Sequence, residues 1–175
     1  VMLSEETAIG SYPVEAVKVM ARVARMAEKT LSYSDILASR RSTAQPQIGD
    51  AISLAACEIA LKLGCVAIVA PTRSGTTARR VSRYRPPLPI VALTAKEKVA
   101  NQLAISWGVQ PYMIDRMRDH IELFRDAENA AVRIGLAREG NRIVIVGGDL
   151  ASPYGTTNLL KVHTISKGNG NIKNR

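Results

Sequence analysis

Aromatic side chains are scarce in this chain: one Trp, one Phe and five Tyr make up 4% of its 175 residues. A core that cannot draw on them must be built from Ala, Val, Ile and Leu, the bulk of a 46% apolar content, as in close-packed α/β layers. The scattered aromatics leave no stacking platform of the kind that single-strand binders use, and no nucleic-acid motif is present, so nucleic acid is not an expected partner. Cysteine is nearly absent. Cys57 and Cys65 have no CxxC partner and no histidine at ligand spacing, which leaves a disulfide framework or zinc site without support; both read as reduced core thiols. His120 and His163 stand far apart and form no pair. No apolar run nears the ~20 residues of a membrane span. No signal peptide precedes the first element, so the default setting is cytoplasmic, although a cleaved organelle-targeting segment would leave no trace.

Acidic residues are outnumbered, 15 against 24 basic ones, and the net charge of +9 attracts anions. With no platform for nucleic acid, small phosphorylated ligands account for that charge. The two best-known nucleotide fingerprints are missing too: there is no GxGxxG, and Gly75 is not followed by a P-loop Lys. The length suits one main core.

What the chain does have is the stretch from Val66 to Pro86, VAIVAPTRSGTTARRVSRYRP. Val66 to Ala70 fit a strand buried on both faces, followed by a polar turn and an arginine-rich helix. That order of parts makes an anion site. Thr72, Ser74, Thr76 and Thr77 offer hydroxyls, Gly75 lets the backbone bend, and the helix presents free amides and its positive dipole end. Arg73 adds a bidentate, charge-assisted donor. The plainer reading is an ordinary strand-to-helix turn with a Thr cap and solvated arginines. The density of donors in one turn favours phosphate.

Taken in order, Val1 to Leu3 read as the stub of a strand, so the chain reads as a fragment or processed product. Ser4, Glu5, Glu6 and Thr7 form a polar turn, and Pro13 to Thr30, capped by Ser11, reads as a helix striped with apolar residues. Leu31 to Pro46 loses the stripe and reads as a connector. Gln47 to Leu63 is a helix stopped by Gly64. Strands are predicted at Ile90–Leu93, Val109–Met113, Arg142–Val146 and Leu159–Ile165. Helices fall at Lys96–Ile105, capped by Thr94, and within Asp115–Ile134. The loop Gly147 to Thr157 is too rich in Gly, Ser and Pro to be regular. The tail Ser166 to Arg175 is polar and reads as disordered. Strands separated by helices predict an α/β fold, a mainly parallel sheet with helices on both faces and ligands at the carboxyl ends of its strands. The Thr72–Thr77 turn and the Gly147–Thr157 loop both leave such ends.

The run TRSGTTARRVSRYRP followed by PIVALT resembles the carboxy-terminal domain of pyruvate kinase, where this turn holds the phosphate of an allosteric effector. Three further stretches are similar in the family's order: VMLSEETAIGSYPVEAVKVMARVARMAE at the start, NQLAISWGV at Asn101–Val109 and YGTTNLLKVHTI at Tyr154–Ile165. The resemblance implies four parts: residues 1–30 as the end of a (β/α)8 catalytic barrel, 31–46 as a connector, 47–165 as a regulatory α/β domain and 166–175 as a tail. It implies an effector site at Thr72, Arg73, Ser74, Gly75, Thr76 and Thr77, completed by Gly155 and Thr156.

For the complete family the resemblance implies transfer of phosphate from phosphoenolpyruvate to ADP with Mg2+ and K+, and assembly as a homotetramer. The metal ligands and transferring residues would lie upstream of Val1, so the fragment alone is expected to be inactive and to hold no metal. Ser4, Glu6 and Thr7 match barrel-mouth positions, and Glu5 stands where many members have glycine. Simple helix capping explains those three residues equally well. The rival reading is a free-standing regulatory domain that binds a phosphorylated metabolite without catalysis.

Overall fold

Five short segments, three of them apolar runs, become the strands of one sheet in the computed structural model, which describes residues 2–42, 44–116, 119–149 and 155–166. The elements are α1 (Glu5–Ala8), α2 (Pro13–Lys29), α3 (Tyr33–Ser42), α4 (Ile48–Lys62), β1 (Ala67–Pro71), α5 (Thr76–Arg83), β2 (Ile90–Thr94), α6 (Glu97–Leu103), β3 (Val109–Met113), α7 (His120–Arg133), β4 (Arg142–Gly147) and β5 (Leu159–Thr164). They divide into two compact units, Val1–Tyr33 and Ser34–Arg175.

In the first unit, α1 and α2 bury no residue, and the apolar stripe of α2 through Val14, Val17 and Val23 is exposed. Met2 and Leu3, expected in a strand, are irregular: no described residue pairs with them, and a strand needs a bonded neighbour. The expected cap at Ser11 is replaced by Tyr12, whose side chain makes no cap bond. The descent into α2 rests instead on Pro13 at its first position.

The second unit holds the sheet, in order β3-β2-β1-β4-β5, parallel except where β5 returns antiparallel to β4. Strand alternation splits the core into two layers. Ile68, Ala70, Ile90, Ala92, Val144 and Val146 face α4, α5 and α6, whereas Ala67, Val69, Val91, Leu93, Ile143 and Ile145 face α7. Each large aliphatic among them is essentially inaccessible to water and contributes roughly 1.5–3 kcal/mol relative to exposure. Alanines line both helix faces, Ala56 and Ala60 on α4 and Ala127, Ala130 and Ala131 on α7, letting helix and sheet approach without aromatics. Cys57 sits in this layer, where burial first and the charge of Glu58 second push its thiol up to about 12. It stays protonated and inert.

Two local features were not expected. The connector contains α3, whose Leu37 packs against the core and whose Arg41 lies 3.6 Å from Glu58 of α4. The helix expected within Asp115–Ile134 starts at His120, at a cap not expected from the sequence: the Asp119 carboxylate accepts the Glu122 N–H at 2.8 Å and fixes the start there. At the other sheet edge, Glu128 of α7 clips β5: it meets His163 Nε2 at 2.7 Å and accepts from Ser166 N and Oγ at 3.1 and 2.9 Å. Residues 167–175, the rest of the expected tail, lie outside the described residues. Among the described residues no helix is long and apolar enough to cross a membrane.

The order of connections positions the site. β1 leads through α5 to β2 on one side, whereas β3 leads through α7, on the opposite face, to β4 on the other side of β1. The strand order therefore reverses between β1 and β4. In open α/β sheets ligands bind in the crevice outside such a reversal.

Candidate functional site

β1 and β4, the strands that flank the reversal, each lead into one of the two candidate loops. β1 ends with its ladder still formed, since Thr72 N donates to Leu93 O at 2.8 Å, and the buried Thr72 hydroxyl then accepts from Gly75 N at 2.8 Å. This bond folds the four residues Thr72–Gly75 into a closed turn. Gly75 occupies the N-cap position of α5 at φ 82°, and no side chain caps the helix. The first amides of α5 have no acceptor within the helix, so they face the crevice as donors. Their neighbours are the Ser74 and Thr76 hydroxyls, 2.9 Å apart, and the half-buried Arg73.

The second loop leaves β4 at Gly147. Its base is closed by Asn158, whose N–H donates to Gly147 O at 3.0 Å and whose Oδ1 accepts from Asp149 N at 2.8 Å. Residues 150–154 lie outside the described residues; Gly155 onward returns the chain to β5. The two loops meet through buried hydroxyls, Thr77 Oγ1 and Thr157 Oγ1 being 2.9 Å apart. Arg80 Nη1 adds donors to Gly155 O at 3.1 Å and Thr157 Oγ1 at 3.3 Å.

The structure thus folds Thr72, Arg73, Ser74 and Gly75 into one turn that runs into Thr76 and Thr77 at the start of α5, and sets that helix beside Gly155 and Thr157. Thr156 is half-buried, but the hydroxyl that reaches across is that of the next residue, Thr157. Sequence reasoning also passed over Arg79 and Arg80. Arg79 Nη2 donates to Ser74 O at 2.7 Å, bracing the turn from its own helix. The missed signal was helical spacing: Arg80 lies one turn beyond Thr77 and shares its face.

Ser4, Glu6 and Thr7 lie at the start of α1, where the Glu6 and Thr7 side chains bond the Ser4 backbone. Ser4 N donates to Glu6 Oε2 at 2.9 Å and Thr7 Oγ1 to Ser4 O at 3.1 Å. Hydrogen bonds from the backbone N–H of Ser4, then of Glu6 itself, hold the Glu6 carboxyl below its ordinary value. These are the bonds of a helix start. A separate recess of about 390 Å3 lies between β3 and α7, lined by Arg116, Arg125, Arg133 and the acids Glu122 and Asp126. Its mixed charge does not favour an anion. Among the described residues no group of three His, Cys, Asp or Glu side chains is placed to hold a metal ion.

Comparison with known proteins adds a family to this geometry. The family model described as "Pyruvate kinase, alpha/beta domain" matches residues 50–163. The pyruvate kinase of Clostridium acetobutylicum is 42% identical over 165 residues, covering 94% of this chain and 35% of that protein. For the pyruvate kinase of Geobacillus stearothermophilus the identity is 45% over 166 residues, covering 95% and 28%. A solved pyruvate kinase from Cryptosporidium parvum superposes with a TM-score of 0.85 at 33% identity, over 94% of this chain and 32% of that one. A second structure, Cryptosporidium parvum pyruvate kinase in complex with ADP, gives 0.80 at 34%, over 94% and 33%. The chain spans about a third of the length of these relatives.

Proposed function

Since this chain belongs to the pyruvate kinase family, we propose that it is the carboxy-terminal part of such an enzyme and that its Thr72–Thr77 turn holds the phosphate of a regulatory metabolite. The observation that carries the reading is the junction of two loops at the strand-order reversal, with Thr77 and Thr157 hydroxyls 2.9 Å apart beside the uncapped start of α5. A phosphate there accepts from the first amides of α5 and from the Ser74 and Thr76 hydroxyls, and the Arg73 guanidinium neutralises its charge. Gly155 approaches from the opposite side, so a sugar phosphate is enclosed between the loops. The surplus of basic residues supports an anionic ligand by raising its local concentration.

The test is thermal melting with fructose 1,6-bisphosphate, glucose 6-phosphate, ribose 5-phosphate, AMP or sulfate, on the wild type and on Arg73→Ala. A ligand at 100 times its Kd adds about 2.7 kcal/mol, which for a chain of this size is on the order of 5–10 °C. One sugar phosphate or AMP is expected to exceed sulfate, and Arg73→Ala to abolish the gain. The reading fails if none exceeds sulfate, or if Arg73→Ala responds as the wild type does.

The complete protein, in this proposal, transfers phosphate between phosphoenolpyruvate and ADP with Mg2+ and K+ and assembles as a homotetramer. The groups that position the moving phosphate and its metals belong to the rest of the barrel; Ser4, Glu6 and Thr7 are occupied in starting a helix. The 175-residue chain is therefore expected to form no pyruvate above background in an assay coupled to lactate dehydrogenase. Turnover by the purified chain would overturn that assignment.

A further inference from the structure

Arg80 stands out because its guanidinium bonds a segment distant in sequence and lies against a third part of the chain. Nη1 donates to Gly155 O and Thr157 Oγ1, which are 75 and 77 residues away in sequence. The first turn of α4 also lies against the guanidinium. A Cβ built on Gly49 would come within 2.5 Å of Arg80 Nη1, 2.9 Å of Cζ and 3.4 Å of Nε, and these three are its nearest neighbours. A side chain at position 49 would thus displace the Arg80 guanidinium from where it lies. Nothing in the helix itself asks for glycine: Gly49 is not among the glycines with positive φ, and alanine propagates a helix better.

We propose that Arg80 is a positioning residue that sets Gly155–Thr157 against the Thr72–Thr77 turn, and that Gly49 provides the seat its guanidinium needs to do so. The inference rests on the phosphate reading for its consequence, since it names what holds the second loop at the ligand, but not for its geometry. One nitrogen bonded to two acceptors on the same short segment fixes that segment's direction as well as its distance. The adjacent Thr77–Thr157 bond then falls into place on the same face of α5. A solvated surface arginine would show neither the paired acceptors nor a side-chain-free neighbour shaped around it.

Gly49→Ala gives a test that never touches the site. The methyl group meets the far end of a flexible side chain, so the guanidinium swings away and the fold absorbs the change. Amide hydrogen exchange on the 175-residue chain reads the outcome at Asn158, whose N–H bonds to Gly147 O. Gly49→Ala and Arg80→Ala are each expected to speed that exchange about tenfold, the equivalent of one lost hydrogen bond. Both variants are also expected to weaken binding of fructose 1,6-bisphosphate by a similar factor. Gly49→Ala should melt no lower than the wild type, and the double variant should match Arg80→Ala alone, because both changes remove one interaction.

Unchanged exchange at Asn158 in Arg80→Ala, or additive effects in the double variant, overturns the inference whatever the ligand does. If exchange responds as expected but the wild type binds neither fructose 1,6-bisphosphate nor inorganic phosphate, the phosphate reading fails and the positioning role of Arg80 stands.

Discussion

Replacing Tyr84 with alanine is expected to lower the stability of the sheet-bearing unit by about 3–5 kcal/mol, the usual cost of emptying a large aromatic site. Among the described residues Tyr84 is the largest fully buried side chain, at the end of α5 and against the start of α4. Its hydroxyl donates to Asp50 O at 3.4 Å, and Arg83, 5.5 Å from the ring centroid, bonds Asp50 Oδ2 at 3.1 Å. Asp50 is itself buried and accepts from Gln45 N at 2.7 Å. Packing outweighs the hydrogen bond here. Tyr84→Phe, which keeps the ring, is expected to cost only about 1 kcal/mol. Urea unfolding of the three proteins separates the two terms; equal midpoints for Phe and Ala would sink the packing account. Burial first, then the hydrogen bond and charge of Asp50, push the phenol up to about 12 from its ordinary 10. A raised phenol favours the neutral form in the fold, so its contribution is complete below pH 10 and is lost as pH rises from there towards 12. Tyr84→Phe should therefore lose less stability than the wild type over that range.

β1, β2 and β4 were legible because each is a short apolar run between breakers, and burial on both faces leaves no alternation to confuse; β3 and β5, at the sheet edges, are only partly buried. The mainly parallel sheet follows from the alternation of those runs with helical stripes. α3 was not legible: YSDILASRRS has little apolar periodicity, and its helix is held by Leu37 against the core rather than by its own pattern. The start of α7 was legible only to within Asp115–Ile134, because the apolar spacing extends upstream of the Asp119 cap that begins the helix. At the site, the two loops were legible from Gly and Thr clustered after apolar runs. Which hydroxyl crosses the crevice was not, since Thr156 and Thr157 differ only in the direction the return strand gives them. Nor does sequence reveal that Gly49 faces Arg80, because that contact joins two helices across a strand and a turn.

Gly75→Val is expected to abolish the response to any phosphorylated ligand while lowering stability by about 1–3 kcal/mol. The two effects have different causes. At φ 82° a β-branched residue is strained wherever it points, and the added Cβ would lie 2.7 Å from Arg79 Nη1 and 3.2 Å from Leu103 Cδ2. Arg79 is exposed and can swing aside; Leu103 is fully buried and cannot. The chain's escape is to leave the left-handed region, which breaks the Gly75 N to Thr72 Oγ1 bond and opens the turn. That escape limits the loss of stability, because β1 and α5 remain packed on either side. It does not protect binding, since the amides at the start of α5 and the Ser74 and Thr76 hydroxyls then no longer converge. Gly75→Asn, with a residue that tolerates this region better, should fall between the two in both measures. Melting each variant with and without fructose 1,6-bisphosphate reads both effects. A Gly75→Val protein that keeps the wild-type ligand shift would show that the phosphate sits elsewhere; one that loses the shift but little stability would locate the anion at the turn itself.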